Sequence, residues 1–160
     1  MESWTGFFQS SASAAATLIG LVVVAISINL TRILAYPNLP PRAAAALAPL
    51  AGVLLVSLLA LPPNQSIRLF GAEVLAAGIV MGLSGVWVWS GAPSERGVVP
   101  PLRWWSHLVL HLGQSLPFVA AGVLLIMGQP AGLGWIVPGV ILSLVAGLTN
   151  TWVLLVEILR

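Results

Sequence analysis

Cysteine, lysine and aspartate are all missing from this 160-residue chain, and only 6% of its residues are charged. Without cysteine there is no disulfide framework, thiolate nucleophile, thiolate zinc site or iron–sulfur cluster. Without lysine and aspartate the usual Schiff-base chemistry, DxD metal sites and aspartyl nucleophiles are absent too. A soluble domain carries about a quarter charged residues, so this chain lacks the polar skin needed to face water all round. What it has is apolar: 59% of its residues are hydrophobic, with sixteen Gly, twelve Pro and seven Trp. The net charge of +2 comes from six scattered Arg against four Glu. They form no run or basic face, so nucleic acid is not an expected partner; the expected surroundings are a lipid bilayer.

A helix needs roughly 20 apolar residues to cross a hydrocarbon core about 30 Å thick. Five runs meet that length, over 11–31, 43–61, 69–90, 105–127 and 134–156. The expected fold is therefore all-α, a single polytopic transmembrane helix bundle with five spans. Pro62 and Pro63 close the second run, because proline cannot continue a helix. Pro117 and Pro138 fall inside the fourth and fifth, where kinks are expected. All six Arg and all Glu but one lie outside the central runs or at their ends, as the cost of placing charge in hydrocarbon requires.

An odd number of spans puts the termini on opposite sides. Arg32, Arg42, Arg96, Arg103 and Arg160 then share one face, and Arg68 stands on the other. The positive-inside rule makes the five-Arg face cytoplasmic, with the N-terminus outside and the C-terminus in the cytoplasm of a bacterial inner membrane. Glu2, with no Arg or Lys before the first apolar run, is unlike the positive start of a cleavable signal, so the first span is expected to remain as an anchor. Trp87, Trp89, Trp104, Trp105 and Trp135 sit near run ends, where indole rings favour the headgroup region.

Lipid tails are as apolar as leucine, so spanning helices associate through close contact at small residues. Gly78 and Gly82 form a GxxxG extended by Gly85, and Gly139, Ser143, Gly147 and Thr151 recur at every fourth position of the fifth run. These residues are expected to pack helix against helix, within one bundle or between subunits.

Polar groups at depth are the other feature. His107, His111 and Gln114 share one face of the fourth run by i, i+4, i+7 spacing. Asn150 and Glu157, seven apart, share a face of the fifth. By helix rise alone His111 and Asn150 lie about 9–10 Å inside the cytoplasmic boundary, and Asn29 about 4–5 Å inside it. Asn29, His111, Gln114, Asn150 and Glu157 therefore form a candidate polar cluster. It could make interhelical hydrogen bonds, carry protons or ions, or hold a divalent metal through His107, His111 and Glu157. Glu73 is expected to pair with Arg68, whose long side chain can snorkel toward it.

The pair Phe7 and Phe8, the stretch 17–29 (TLIGLVVVAISIN) and the ending 150–158 (NTWVLLVEI) resemble small multi-pass bacterial membrane proteins of unassigned function. That resemblance implies a membrane bundle and no activity. Five spans and many Trp also resemble the tryptophan-rich sensory proteins that bind porphyrins and sterols. Their Trp-and-Pro-rich motif on the second helix has no counterpart here, since 43–61 contains no Trp. The chain carries no GxSxG, HExxH, P-loop or dinucleotide fingerprint, and no cofactor is expected. The leading expectation is a non-enzymatic accessory or interaction subunit, as a homo-oligomer or in a larger membrane complex. The alternative is a small channel, a proton or ion pathway, or a metal-binding membrane protein using the polar cluster.

Overall fold

The computed structural model describes residues 2–37, 39–90 and 101–159, with the side chains of all of these except 2, 86–90, 101–110 and 157–159. The described residues are helical almost throughout and contain no strand. After a 3-10 turn at Glu2–Trp4 come α1 (Thr5–Ile28), a short α2 (Leu30–Ala35), α3 (Leu39–Leu59), α4 (Ile67–Ser90), α5 (Pro101–Ile126) and α6 (Gly132–Leu159). Among the described residues four stretches are long and apolar enough to cross a membrane: Thr5–Ile28, Leu39–Leu59, Ile67–Gly85 and Gly132–Val156. His111–Ile126, within α5, is a shorter apolar stretch.

The helix ends follow local chemistry. The first helix begins at Thr5, ahead of the expected 11–31, because nothing between Thr5 and Ser11 breaks a helix. It stops at Asn29, where the Asn29 side chain donates 2.9 Å back to the Ala25 carbonyl and α2 restarts the chain. α3 begins at Leu39, ahead of the expected 43, because Pro40 and Pro41 occupy the first turn, where a missing N–H leaves no bond unmade. Beyond α3 the chain turns through Asn64 at φ 61°, and the Ser66 hydroxyl accepts from the Leu69 N–H at 3.2 Å to open α4. Gly128, at φ 77°, ends α5 in a Schellman turn. Its N–H reaches the Leu125 carbonyl at 2.9 Å, and the Gln129 N–H reaches that of Leu124 at 2.9 Å.

α3, α4, α5 and α6 form a ring in which each helix packs against the next and α6 closes on α3; α1 lies outside, mainly against α3. The most extensive contact is between α4 and α5. A Cβ placed on Gly71 would stand 2.7 Å from the Leu125 Cβ, one on Gly78 3.0 Å from the Phe118 Cβ, and one on Gly85 3.0 Å from the His111 ring. Between them the roles reverse: a Cβ on Gly122 of α5 would meet the Leu75 backbone nitrogen at 2.6 Å. Gly82 faces Ser115. The α4 positions 71, 75, 78, 82 and 85 thus step by 4, 3, 4, 3, and their partners 125, 122, 118, 115 and 111 step in reverse. That is the heptad seam of an antiparallel coiled pair, built so that each large side chain meets a glycine or serine.

α6 uses its small residues on two neighbours. Gly139 admits the tip of the Phe118 ring from α5, and Gly147 admits Leu50 from α3. Around these contacts Val53, Val56, Phe70, Val74, Phe118, Ile136 and Val140 form the buried core. Pro49, Pro117 and Pro138 all lie inside continuous helices.

The seam gives a sharp contrast between two glycines of one helix. Gly122→Ala forces Leu75 backbone away and should cost about 1–3 kcal/mol, the usual range for overpacking. Gly113→Ala, whose Cβ would meet nothing within 4 Å, should leave stability unchanged or slightly raised, because Ala is the better helix former. Thermal unfolding of both variants in detergent checks the pair; equal effects would refute the seam.

Candidate functional site

Among the described residues, half of the buried polar side chains belong to α5. His111, Gln114 and Ser115 are all buried, at 8%, 2% and 3% exposure. His111 fits because α4 presents Gly85 opposite it, leaving room for the imidazole against the α4 backbone. One turn along, the Gln114 amide nitrogen lies 3.0 Å from His111 Nδ1, so the amide donates and the ring nitrogen accepts. Ser115 turns its hydroxyl back to the Leu112 carbonyl at 3.2 Å. Gln114 Oε1 has no hydrogen-bond partner.

The structure gives Asn150 a different setting. Its side-chain amide crosses from α6 to α3 and donates to the Ala45 carbonyl at 3.3 Å. Ala45 is four residues before Pro49, and proline has no N–H to fill the carbonyl one turn back. Asn150 therefore supplies from a neighbouring helix the bond that Pro49 removes, as a buried or lipid-facing helix requires. Asn29 is likewise engaged with its own helix through the Ala25 carbonyl. His111 and Gln114 are thus brought together, whereas Asn29 and Asn150 spend their described bonds on backbone of α1 and α3. The side chains of His107 and Glu157 lie outside the described residues. Among the described residues no group of three or more His, Asp or Glu is placed to hold a metal ion.

At the opposite end of the bundle Glu73 accepts a hydrogen bond from the Gln65 side chain rather than being held by Arg68. The bond closes the turn before α4, beside the edge-to-face pair Phe8–Phe70 at 5.8 Å. Depth arithmetic found His111 and Gln114 but not Ser57, a fully buried hydroxyl of α3. Serine spacing carries no signal in a chain where small residues are everywhere. The helix packing residues Gly78, Gly82, Gly85, Gly139 and Gly147 all face neighbouring helices of the same chain, and Ser143 is fully buried.

The fold and this polar face define a helical bundle of apolar helices compatible with a membrane, carrying neutral hydrogen-bonding groups in its core. No family model matches the chain, and neither a curated protein nor a solved structure is significantly similar to it.

The Asn150–Ala45 bond can be tested by a double-mutant cycle. Asn150→Ala alone should cost about 1–3 kcal/mol by leaving the carbonyl unpaired. In a Pro49→Ala background the N–H at 49 refills that carbonyl, and the same substitution should cost close to nothing. Unfolding in detergent measures the coupling, and strictly additive costs would show that the bond does not exist.

Proposed function

We propose that this chain is an integral protein of the bacterial cytoplasmic membrane, crossing it five times with the N-terminus outside and the C-terminus in the cytoplasm. It acts as a non-enzymatic interaction subunit that docks through α1 onto α1 of a second copy, the two helices running parallel. Five crossings follow from adding all of α5 to the four apolar stretches, and the orientation follows from the Arg distribution.

The observation that carries this reading is the outward face of α1. Its inner face, Phe8, Ala12, Ala15, Ile19, Val22 and Ile26, is buried or half-buried, with spacing 4, 3, 4, 3, 4. Diametrically opposite, Gly6, Ser10, Ser13, Thr17, Gly20, Val24 and Ser27 repeat the same spacing, and all seven are exposed. The Thr17 and Ser27 hydroxyls fold back onto the Ser13 and Val23 carbonyls at 2.8 and 2.7 Å, which keeps the surface low. Elsewhere the exposed faces carry large residues such as Leu55, Leu69, Val80, Leu83, Leu116, Ile141 and Leu148, which suit lipid, and so does α1 beyond Gly20, at Leu21, Val24 and Ile28; the small stripe runs from Gly6 to Gly20. Over that stretch α1 shows outward the kind of small-residue seam that α4 uses to receive α5. Two copies related by an axis along the membrane normal would present it to each other in parallel, so the surface is self-complementary.

Because the chain has no cysteine, single cysteines report contact cleanly. Oxidative crosslinking in lipid vesicles should join copies through cysteines at Ser13, Thr17 and Gly20, and not at the equally exposed Ala14 and Leu21. Thr17→Leu should abolish it. Crosslinking without that periodicity, or none, would remove the docking role.

A second reading, proton or ion passage, draws on the burial of His111 and Gln114 together on α5. It requires flux into protein-loaded vesicles above that of lipid alone, lost in His111→Ala. Flux at the lipid background ends it.

A further inference from the structure

Three buried polar atoms on three helices have no hydrogen-bond partner: Gln114 Oε1 on α5, Ser143 Oγ on α6 and Ser57 Oγ on α3. Their side chains are 2%, 0% and 0% exposed. Helix register shows how they lie. Phe118 meets Gly139 across the α5/α6 contact, so one turn back along α5 and one turn on along α6 bring Gln114 level with Ser143, each on the face that carries the contact. Leu50 meets Gly147 across α3/α6, and stepping one turn along each helix puts Ser143 beside the level of Val53. Ser57 is one further turn along the same face of α3, about 6 Å by helix rise. Gln114 and Ser143 therefore share a layer on α5 and α6, and Ser57 of α3 stands in the adjacent layer, at the level of Gly139 and the Phe118 ring.

A buried polar atom without a partner costs about 1–3 kcal/mol, and native cores satisfy nearly all of them. Three in adjacent layers are not a packing accident to be absorbed by apolar contacts. Turning the Gln114 amide over does not remove the difficulty, since one end of it meets His111 and the other is left facing α6. We propose that this layer is a binding site for a small neutral hydrogen-bonding ligand, and that the ligand is water: an enclosed water cluster bridging Gln114, Ser143 and Ser57 inside the apolar bundle. A buried water needs two or more polar partners; Gln114 and Ser143, level with each other on α5 and α6, supply two, and Ser57 stands one turn further along on α3. Gln114 joins the cluster to His111, so the hydrated layer and the imidazole form one hydrogen-bonded unit. The site is independent of the docking role of α1.

Water-edited solid-state NMR on the full chain in lipid bilayers tests this directly. Polarisation from water should reach the Gln114 side-chain amide and Ser143 several-fold faster than the equally buried Leu50, and Ser143→Ala or Ser57→Ala should slow the transfer to Gln114. Transfer to Gln114 as slow as to Leu50 would mean that Gln114 and Ser143 bond each other directly in a dry core, and would overturn the site. Fast transfer unaffected by either serine substitution would overturn it as well, because water would then be entering along the His111 side alone. Both substitutions remove a single oxygen and leave the backbone seams intact.

Discussion

The distance between the α4 and α5 backbones sets the rest of this bundle. In water, two helices can be held together by burying leucines, but in lipid, with which these apolar helices are compatible, a leucine gains nothing by leaving one hydrocarbon for another. The attraction that remains is dispersion between atoms at contact distance, which is weak per pair and large in sum. It requires that backbones come close, and Gly71, Gly78, Gly82 and Gly85, with Gly122 on the other side, are what permit that. Because every large residue of this seam has a small one opposite, the register of the pair is fixed to the residue. Phe118 is then carried to one place, with its Cβ on α4 and its ring tip at Gly139 of α6. His111 and Ser115 occupy the next positions of the same seam, and Gln114 lies beside them within hydrogen-bond reach of His111.

Small residues therefore act in this protein as docking positions rather than as flexible ones. α6 uses Gly139 toward α5 and Gly147 toward α3, so a stripe that looks continuous in sequence serves two neighbours in turn. α1 is buried on one side within the chain and, among the described residues, exposed on the other. From Gly6 to Gly20 its exposed side has the same property that makes the inner seams work, low side-chain relief along a 4, 3 repeat.

Much of this architecture is legible in the sequence. The apolar runs fall on the helices because their length and their Pro, Arg and Gly borders are physical limits on an apolar helix. The shifts at the edges, Thr5 instead of 11 and Leu39 instead of 43, come from residues that helices tolerate in a first turn, where hydropathy falls before helicity does. The candidate site was less legible. Helix rise gives the depth of Asn29, His111 and Asn150 but not the direction each faces, and equal depth is compatible with three unrelated partners. Asn150 becomes intelligible only when α3 is beside it, because the carbonyl it serves is freed by a proline 101 positions earlier in the chain. Gln65 reads as an ordinary turn residue until the turn folds it over Glu73. Ser57 and Ser143 carry no marker at all in a chain so rich in small residues.

The pairing of Asn150 with the helix that holds Pro49 also sets an order on assembly. A chain is made from the amino end, so α3 is complete, with one carbonyl unfilled, well before the residue that fills it has been made. The early helices are thereby left unfinished, and the last one closes a gap opened near the first third of the chain. A truncated product lacking α6 retains that gap, a mark by which a quality-control protease could tell an incomplete chain from a finished one.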